Sequence, residues 1–128
     1  GNSGPYLQYA YARVCSLMEK AGVNVRMFEC SNVQNGGFVI ATPSEKQLAL
    51  QLLEFPGAVV RAAEAYKPSV LADYLFQTAQ LYSSFYQNSP ILKSEESVKN
   101  ARLRLCALFG EVLKTGLHLL GIETPSHI

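Results

Sequence analysis

The 128-residue sequence has no tryptophan, only three cysteines, and nearly equal numbers of positive and negative side chains. The spacing of Cys15, Cys30 and Cys106 contains no C-x-x-C pair, so neither a disulfide framework nor a zinc pattern is predicted. Because free thiols persist in reducing compartments, we expect a cytoplasmic protein. Eleven lysines and arginines against ten acidic residues give a formal charge of +1. This balance excludes a protein that holds nucleic acid mainly by neutralising phosphates.

Long apolar runs and catalytic motifs are also missing. No stretch approaches the roughly 20 apolar residues that cross a bilayer, and residues 1–5 have no signal-peptide pattern. The sequence contains no phosphate-binding loop, dinucleotide glycine motif or nucleophile elbow. Neither His118 nor His127 has a second imidazole or a carboxylate at metal-ligand spacing. We therefore predict no catalytic centre, no metal site and no membrane partner for this chain.

What the sequence does contain is enough apolar material for one domain, since 48% of its residues are hydrophobic. Apolar residues recur at three- and four-residue steps in five segments, which predicts an all-α five-helix bundle over residues 1–128. Proline or capping side chains mark the expected helix starts near Pro5, Thr42, Pro56, Pro68 and Ser94. The polar, irregular residues 23–41 are predicted to form a loop.

The periodicity also predicts which side chains are buried. The last helix should present a wide apolar face made of Leu105, Leu108, Phe109, Val112, Leu113, Leu117 and Leu120. The third helix carries Val59, Val60, Ala63 and Tyr66 at its apolar positions. Cys15 and Cys106 are expected to be small buried thiols, whereas Arg102 and Arg104 are expected to be solvated charges.

The aromatic composition is unusual, with seven tyrosines and six phenylalanines. Tyr6, Tyr9 and Arg13 fall at helical spacing on one side of the first helix, away from the stripe that contains Leu7 and Val14. Two interpretations are open: the tyrosines are half-buried packing residues with wetted hydroxyls, or they form a surface on which unstacked RNA bases stack. Tyr86, at the end of the fourth helix, is equally ambiguous by itself.

Four blocks of sequence stand in one order along the chain: GNSGPYLQYAYARVCSL at the start, residues 48–87, residues 101–122, and the closing PSHI. Together they resemble the C-terminal helical domain of class I arginyl-tRNA synthetases, the DALR anticodon-binding domain. The HIGH-type and KMSKS-type motifs of the catalytic domain are absent. The resemblance therefore implies the C-terminal part of a longer synthetase.

The resemblance also implies a function: gripping the anticodon arm of an arginine-accepting tRNA. A catalytic domain in the same polypeptide would ligate arginine with ATP, so no cofactor and no DNA are expected for this chain. The implied anticodon contacts are Tyr6, Tyr9, Arg13, Tyr86 and Ile128. The family usually ends in methionine, and Ile128 keeps its apolar bulk without the flexible thioether. The alternative is a protein-interaction or dimerisation module of the same fold that does not bind tRNA.

Overall fold

A computed structural model describes residues 3–22 and 42–126, and the regular structure within these ranges is helical. The helices are α1 (Ser3–Lys20), α2 (Pro43–Leu53), α3 (Phe55–Ala65), α4 (Pro68–Asn88) and α5 (Glu96–Leu119). The predicted all-α five-helix fold is confirmed. None of the described helices is both long and apolar enough to cross a membrane. The loop predicted at residues 23–41 lies outside the described residues.

Proline lies in the first turn of α2, α3 and α4, as the sequence predicted, and α2 also has a side-chain cap. The hydroxyl of Thr42 accepts a hydrogen bond from the backbone N–H of Glu45 at 3.2 Å, and proline occupies the next position.

The start of α5 differs from the prediction: it begins at Glu96, and its N-cap Glu95 makes no side-chain capping bond. The break between α2 and α3 falls at Glu54, so α3 begins at Phe55, one residue before the predicted start near Pro56. Pro56 still lies in the first turn of α3, where its missing N–H costs nothing.

The helix α4 occupies the centre of the bundle and contacts each of the other four helices. Its buried side chains and those of α5 include Leu75, Phe85, Leu105, Phe109, Leu113 and Leu117. These two helices approach closely at Gly116, where a Cβ atom would lie 2.7 Å from two side-chain carbons of Leu75. Glycine at this position therefore allows α4 and α5 to pack together.

Two predicted apolar faces are wrong in detail. Leu108 is exposed, because it lies at the edge of the stripe through which α5 faces its neighbours. On α3, Val60, Ala63 and Tyr66 are exposed, and the residue buried there is Ala58. The reason is that α3 packs mainly onto α4, so Ala58 is fully covered and only Phe55, Val59 and Ala62 are partly buried beside it.

The prediction that Arg102 is a solvated charge is also wrong. Only 8% of Arg102 is exposed, and its Nε donates to the carboxylate of Glu45 at 2.7 Å. The same guanidinium donates to the carbonyl of Pro90 and, at 2.8 Å, to the hydroxyl of Ser94. One side chain of α5 thus holds both α2 and the connection between α4 and α5. Arg104 is half-buried.

The chain turns sharply after α5. Gly121 has φ +77°, and the N–H groups of Gly121 and Ile122 donate to the carbonyls of His118 and Leu117 at 3.0 and 2.9 Å. This is the Schellman arrangement, which requires the left-handed backbone that glycine adopts readily. The following residues run back to α1, where the side-chain amide of Gln8 donates to the carbonyl of Glu123 at 2.9 Å.

Candidate functional site

A shallow groove runs between α1 and α4, and it brings together the predicted contact residues of both helices. We call it the aromatic groove; its lining residues are Tyr6, Tyr9, Ala10 and Arg13 on α1, and Tyr82, Ser83, Tyr86 and Gln87 on α4. On each helix every one of these residues lies three or four positions from at least one other, which places the set on one side of the helix. The fold therefore presents the two faces to each other.

Three of the four predicted contacts described here are exposed aromatic rings. The exposed fractions are 39% for Tyr6, 58% for Tyr9 and 41% for Tyr86. Tyr6 also packs against Phe76 of α4, with ring centroids 5.3 Å apart. The Tyr6 ring therefore contributes both to the packing of α1 on α4 and to the exposed surface of the groove. Of the three rings, that of Tyr9 has the largest fraction of its surface exposed to solvent.

Arg13 connects the two sides of the groove. Its guanidinium carbon lies 5.6 Å from the centroid of the Tyr86 ring, within the range of a cation–π contact. At an exposed site such a contact contributes about 0.5–1 kcal/mol, and it holds a planar cation beside a planar phenol. The pair therefore offers a positively charged surface on which a planar group can stack.

The floor of the groove belongs to the core. Tyr82 is buried and stacks on Phe109 with ring centroids 4.3 Å apart and planes 13° apart. Its hydroxyl donates to the sulfur of Cys106 at 3.7 Å. Burial raises the pKa of Tyr82, and it raises the pKa of the Cys106 thiol to about 12. Both groups stay neutral near pH 7, and the ring of Tyr86 rests 6.2 Å from that of Tyr82.

The other described thiol is also unsuited to nucleophilic chemistry. Burial raises the pKa of Cys15, which is half-buried on α1 beside Tyr11. A reactive cysteine needs the opposite shift, because the thiolate is the nucleophile. In residues 3–22 and 42–126, no three metal-ligating side chains cluster. His118 is exposed on α5.

The shape of the groove favours binding of a flat group over enclosure of a small molecule. Its volume is about 60 Å³, whereas pockets for small-molecule ligands typically measure about 300–1,000 Å³. A ring could stack on the exposed tyrosines and present its edge to the hydroxyl and amide groups beside them. Such a surface is suited to stacking and to hydrogen bonding with the edge of a flat group.

Sequence reasoning identified four residues of this groove and missed others. Ser83 and Gln87, which add a hydroxyl and an amide to its wall, were not predicted. Ser83 and Gln87 lie one helical turn apart, before and after Tyr86 in the sequence. Many residues on a long helix share such a spacing, so the spacing alone does not single these two out. The fifth predicted contact, Ile128, lies outside the described residues.

Comparisons with known proteins identify the family and agree with the all-α fold. The family model of the DALR anticodon binding domain matches residues 7–128. Arginine–tRNA ligases of Edwardsiella ictaluri and Pseudomonas syringae pv. syringae are 42% and 46% identical over 125 residues, 97% of this chain. The arginyl-tRNA synthetase of Thermus thermophilus superposes on the whole chain with a TM-score of 0.83 and 38% identity. That of Plasmodium falciparum does so with a TM-score of 0.81 and 26% identity.

The chain spans about a fifth of the length of these proteins: 21% of both relatives, and 21% and 22% of the two structures. The match to the family model nonetheless extends over almost all of the chain. The chain belongs to the DALR anticodon-binding domain family.

Proposed function

We propose that the aromatic groove binds unstacked bases in the anticodon loop of an arginine-accepting tRNA. The observation that carries this proposal is the convergence of exposed Tyr9, Tyr86 and Arg13 across two helices. Single-stranded RNA loops are recognised by stacking of splayed bases on aromatic rings and guanidinium planes, with hydrogen bonds to the base edges. Each stacked base contributes about 1–3 kcal/mol.

The near-neutral charge of the chain fits this mode of binding. Phosphate contacts position a nucleic acid, whereas base contacts distinguish its sequence. A domain with a formal charge of +1 has little surplus charge for a phosphate-binding stripe. Its contribution would then come from a few stacked bases, with further affinity supplied by tethering to the rest of an enzyme.

The activity of the whole protein is part of the same proposal. The relatives are named arginine–tRNA ligases, and this chain spans about a fifth of their length. We infer a synthetase whose catalytic domain, in the same polypeptide, binds ATP and ligates arginine, while this domain orients the tRNA. Free Cys15 and Cys106 agree with a cytoplasmic location for such an enzyme.

Alanine substitutions at the exposed rim of the groove test the proposal. Tyr9→Ala and Arg13→Ala should each raise the dissociation constant of the chain for an arginine tRNA transcript by about five-fold or more, because each removes a stacking surface. Tyr9→Ala should lower the free energy of unfolding by less than about 1 kcal/mol, since the ring is mostly exposed. Binding is measured by titration, and stability by urea unfolding of the same variants.

Tyr66→Ala is a matched control, because Tyr66 is 92% exposed and lies before the first turn of α4. At a rise of about 1.5 Å per residue, the 21 residues of α4 place it about 30 Å from Tyr86. It should leave tRNA binding unchanged. If Tyr9→Ala and Arg13→Ala also bind tRNA normally, the protein-interaction alternative is favoured; if Tyr9→Ala unfolds the chain, its role is packing.

The salt dependence of binding is a second test. Because the groove carries few cations, the plot of log Kd against log salt concentration should have a slope of about 3 or less, equivalent to about three phosphates. The measurement is a tRNA titration of the chain at several potassium chloride concentrations. A slope of about 6 or more would show that phosphate neutralisation dominates and would contradict base stacking as the main source of affinity.

A further inference from the structure

A second depression lies at the opposite end of α4 from Tyr86, between the turn that joins α3 to α4 and the end of α5. We call it the entry patch; among its lining residues are Ala63, Tyr66, Pro68, Leu71, Leu119 and Leu120. Its volume is about 380 Å³, and Lys67 is the charged residue among those that line it. The depression is therefore mainly apolar.

Several apolar side chains of the entry patch are exposed. Tyr66 is 92% exposed and Leu119 is 56% exposed, and Ala63 and Pro68 are exposed beside them. A contiguous apolar patch of this kind marks a surface that another domain or molecule covers, whereas single exposed apolar residues need no explanation. Small-molecule sites have several converging polar groups, and the side chains here offer only the hydroxyl of Tyr66 and the ammonium of Lys67. A protein surface is the better fit.

The backbone at Tyr66 gives a second, independent indication. Tyr66 follows α3 with φ +54°, in the left-handed region that glycine adopts readily and a bulky residue rarely adopts. Residues held in sparsely populated backbone conformations cluster at sites that bind or clamp a partner. Because the ring is almost wholly exposed, packing within this domain does not account for a tyrosine at this position. A contact outside the domain does.

The start of α1 lies at the same end of the bundle as the entry patch. Leu71 and Leu119 line the same depression, so α5 ends beside the start of α4. The chain then turns, and Ile122 reaches α1: a Cβ atom at Gly4 would lie 3.8 Å from Cδ1 of Ile122. A polypeptide segment that leads into α1 therefore arrives next to the entry patch.

We propose that the entry patch binds an apolar surface of the catalytic domain that precedes α1 in the same polypeptide, with the Tyr66 ring buried in the contact. The inference rests on the proposed function in one respect, which is that this chain is the C-terminal part of a synthetase. Length supports it: the chain spans about a fifth of its relatives, so a much larger body would be joined to α1 beside the patch.

Such a contact would fix the direction of the aromatic groove relative to the catalytic domain. The patch is separate from the groove, since Tyr66 lies about 30 Å from Tyr86 along α4. Its contribution to tRNA charging would be to position the domain, without touching the bound bases.

Hydroxyl-radical footprinting of the full-length synthetase, read by mass spectrometry, tests the inference without any substitution. In the absence of tRNA, Tyr66 should be labelled less than Tyr9, the reverse of the order given by their exposed fractions of 92% and 58% in this domain. Tyr9 is an internal control because it belongs to the same molecule. Stronger labelling of Tyr66 than of Tyr9 overturns the inference.

The same measurement distinguishes the other occupants of the patch. If Tyr66 is protected only after tRNA is added, RNA covers the patch. If the protection disappears on dilution of the enzyme, a second copy of the protein covers it. Either result overturns the inference, which requires protection that is independent of both tRNA and protein concentration.

Leu119→Asp in the full-length synthetase tests whether apolar contact holds the two domains together. A carboxylate in the patch should separate them and raise the labelling of Tyr66 above that of Tyr9, while the exposed position of Leu119 lets the domain itself remain folded. Leu92→Asp is the control, because Leu92 is an exposed leucine beyond the opposite end of α4 and should leave Tyr66 protected. Continued protection of Tyr66 in Leu119→Asp overturns the inference.

Addition of tRNA to the unmodified enzyme separates failure of this inference from failure of the proposed function. The tRNA should lower the labelling of Tyr9 in the aromatic groove and leave that of Tyr66 unchanged. If tRNA protects Tyr9 while Tyr66 remains the more strongly labelled ring beforehand, the groove binds RNA and the inference fails. If Tyr66 is protected throughout and tRNA does not protect Tyr9, the contact between the domains stands and the proposed role of the groove fails.

Discussion

The Glu45→Ala variant is expected to lower the free energy of unfolding by about 3–5 kcal/mol, because it leaves the buried guanidinium of Arg102 without its carboxylate. Glu45 is fully buried, and its Oε1 lies 2.7 Å from Nε of Arg102. Pro90 and Ser94 still accept hydrogen bonds from the guanidinium, but neither neutralises its charge. Urea unfolding at neutral pH, followed by circular dichroism, measures the difference.

Glu64→Ala is the matched control, since Glu64 is an exposed glutamate on α3 and should change stability by no more than about 0.5 kcal/mol. The double variant Glu45→Leu/Arg102→Met replaces both charges by apolar groups. It should cost less than the sum of the single variants, because no lone charge remains buried. A loss equal to that sum would show that the two side chains contribute independently, contrary to the ion pair described here.

The pair illustrates what local sequence patterns cannot provide. Thr42 and Pro43 marked the start of α2 because capping depends on neighbours within one turn. Arg102 and Glu45 are 57 residues apart, and each by itself is a common surface residue. One clue was present: Arg102 lies three and seven positions before Leu105 and Phe109, on the buried face of α5.

The aromatic groove, too, could be predicted from local sequence patterns only in part. The side of the groove on α1 could be predicted, because Tyr6, Tyr9 and Arg13 share one helical face and differ from the core stripe. That Tyr86 meets Arg13 depends on how α4 packs against α1, which no periodicity encodes. Family resemblance named Tyr86, and only the packed structure shows the two side chains in contact.

Phe109→Ala should produce a loss of similar size, about 3–5 kcal/mol of unfolding free energy. Phe109 is fully buried on α5, and its ring stacks on Tyr82, which in turn lies beside Tyr86. Truncation leaves a cavity and removes the surface that keeps the Tyr82 ring in place. We therefore expect an additional effect on function: at temperatures where the variant remains folded, its Kd for tRNA should also rise.

Leu108→Ala provides the comparison, because this neighbouring leucine is 37% exposed and lies outside the buried stripe of α5. Its substitution should cost clearly less than that of Phe109 and should leave tRNA binding unchanged. Binding and urea unfolding measured on the same samples separate the two consequences of Phe109→Ala. If Phe109→Ala is destabilised but binds tRNA normally while folded, then Tyr86 and Arg13 hold their positions without the buried Tyr82 stack, and the floor of the aromatic groove contributes to folding alone.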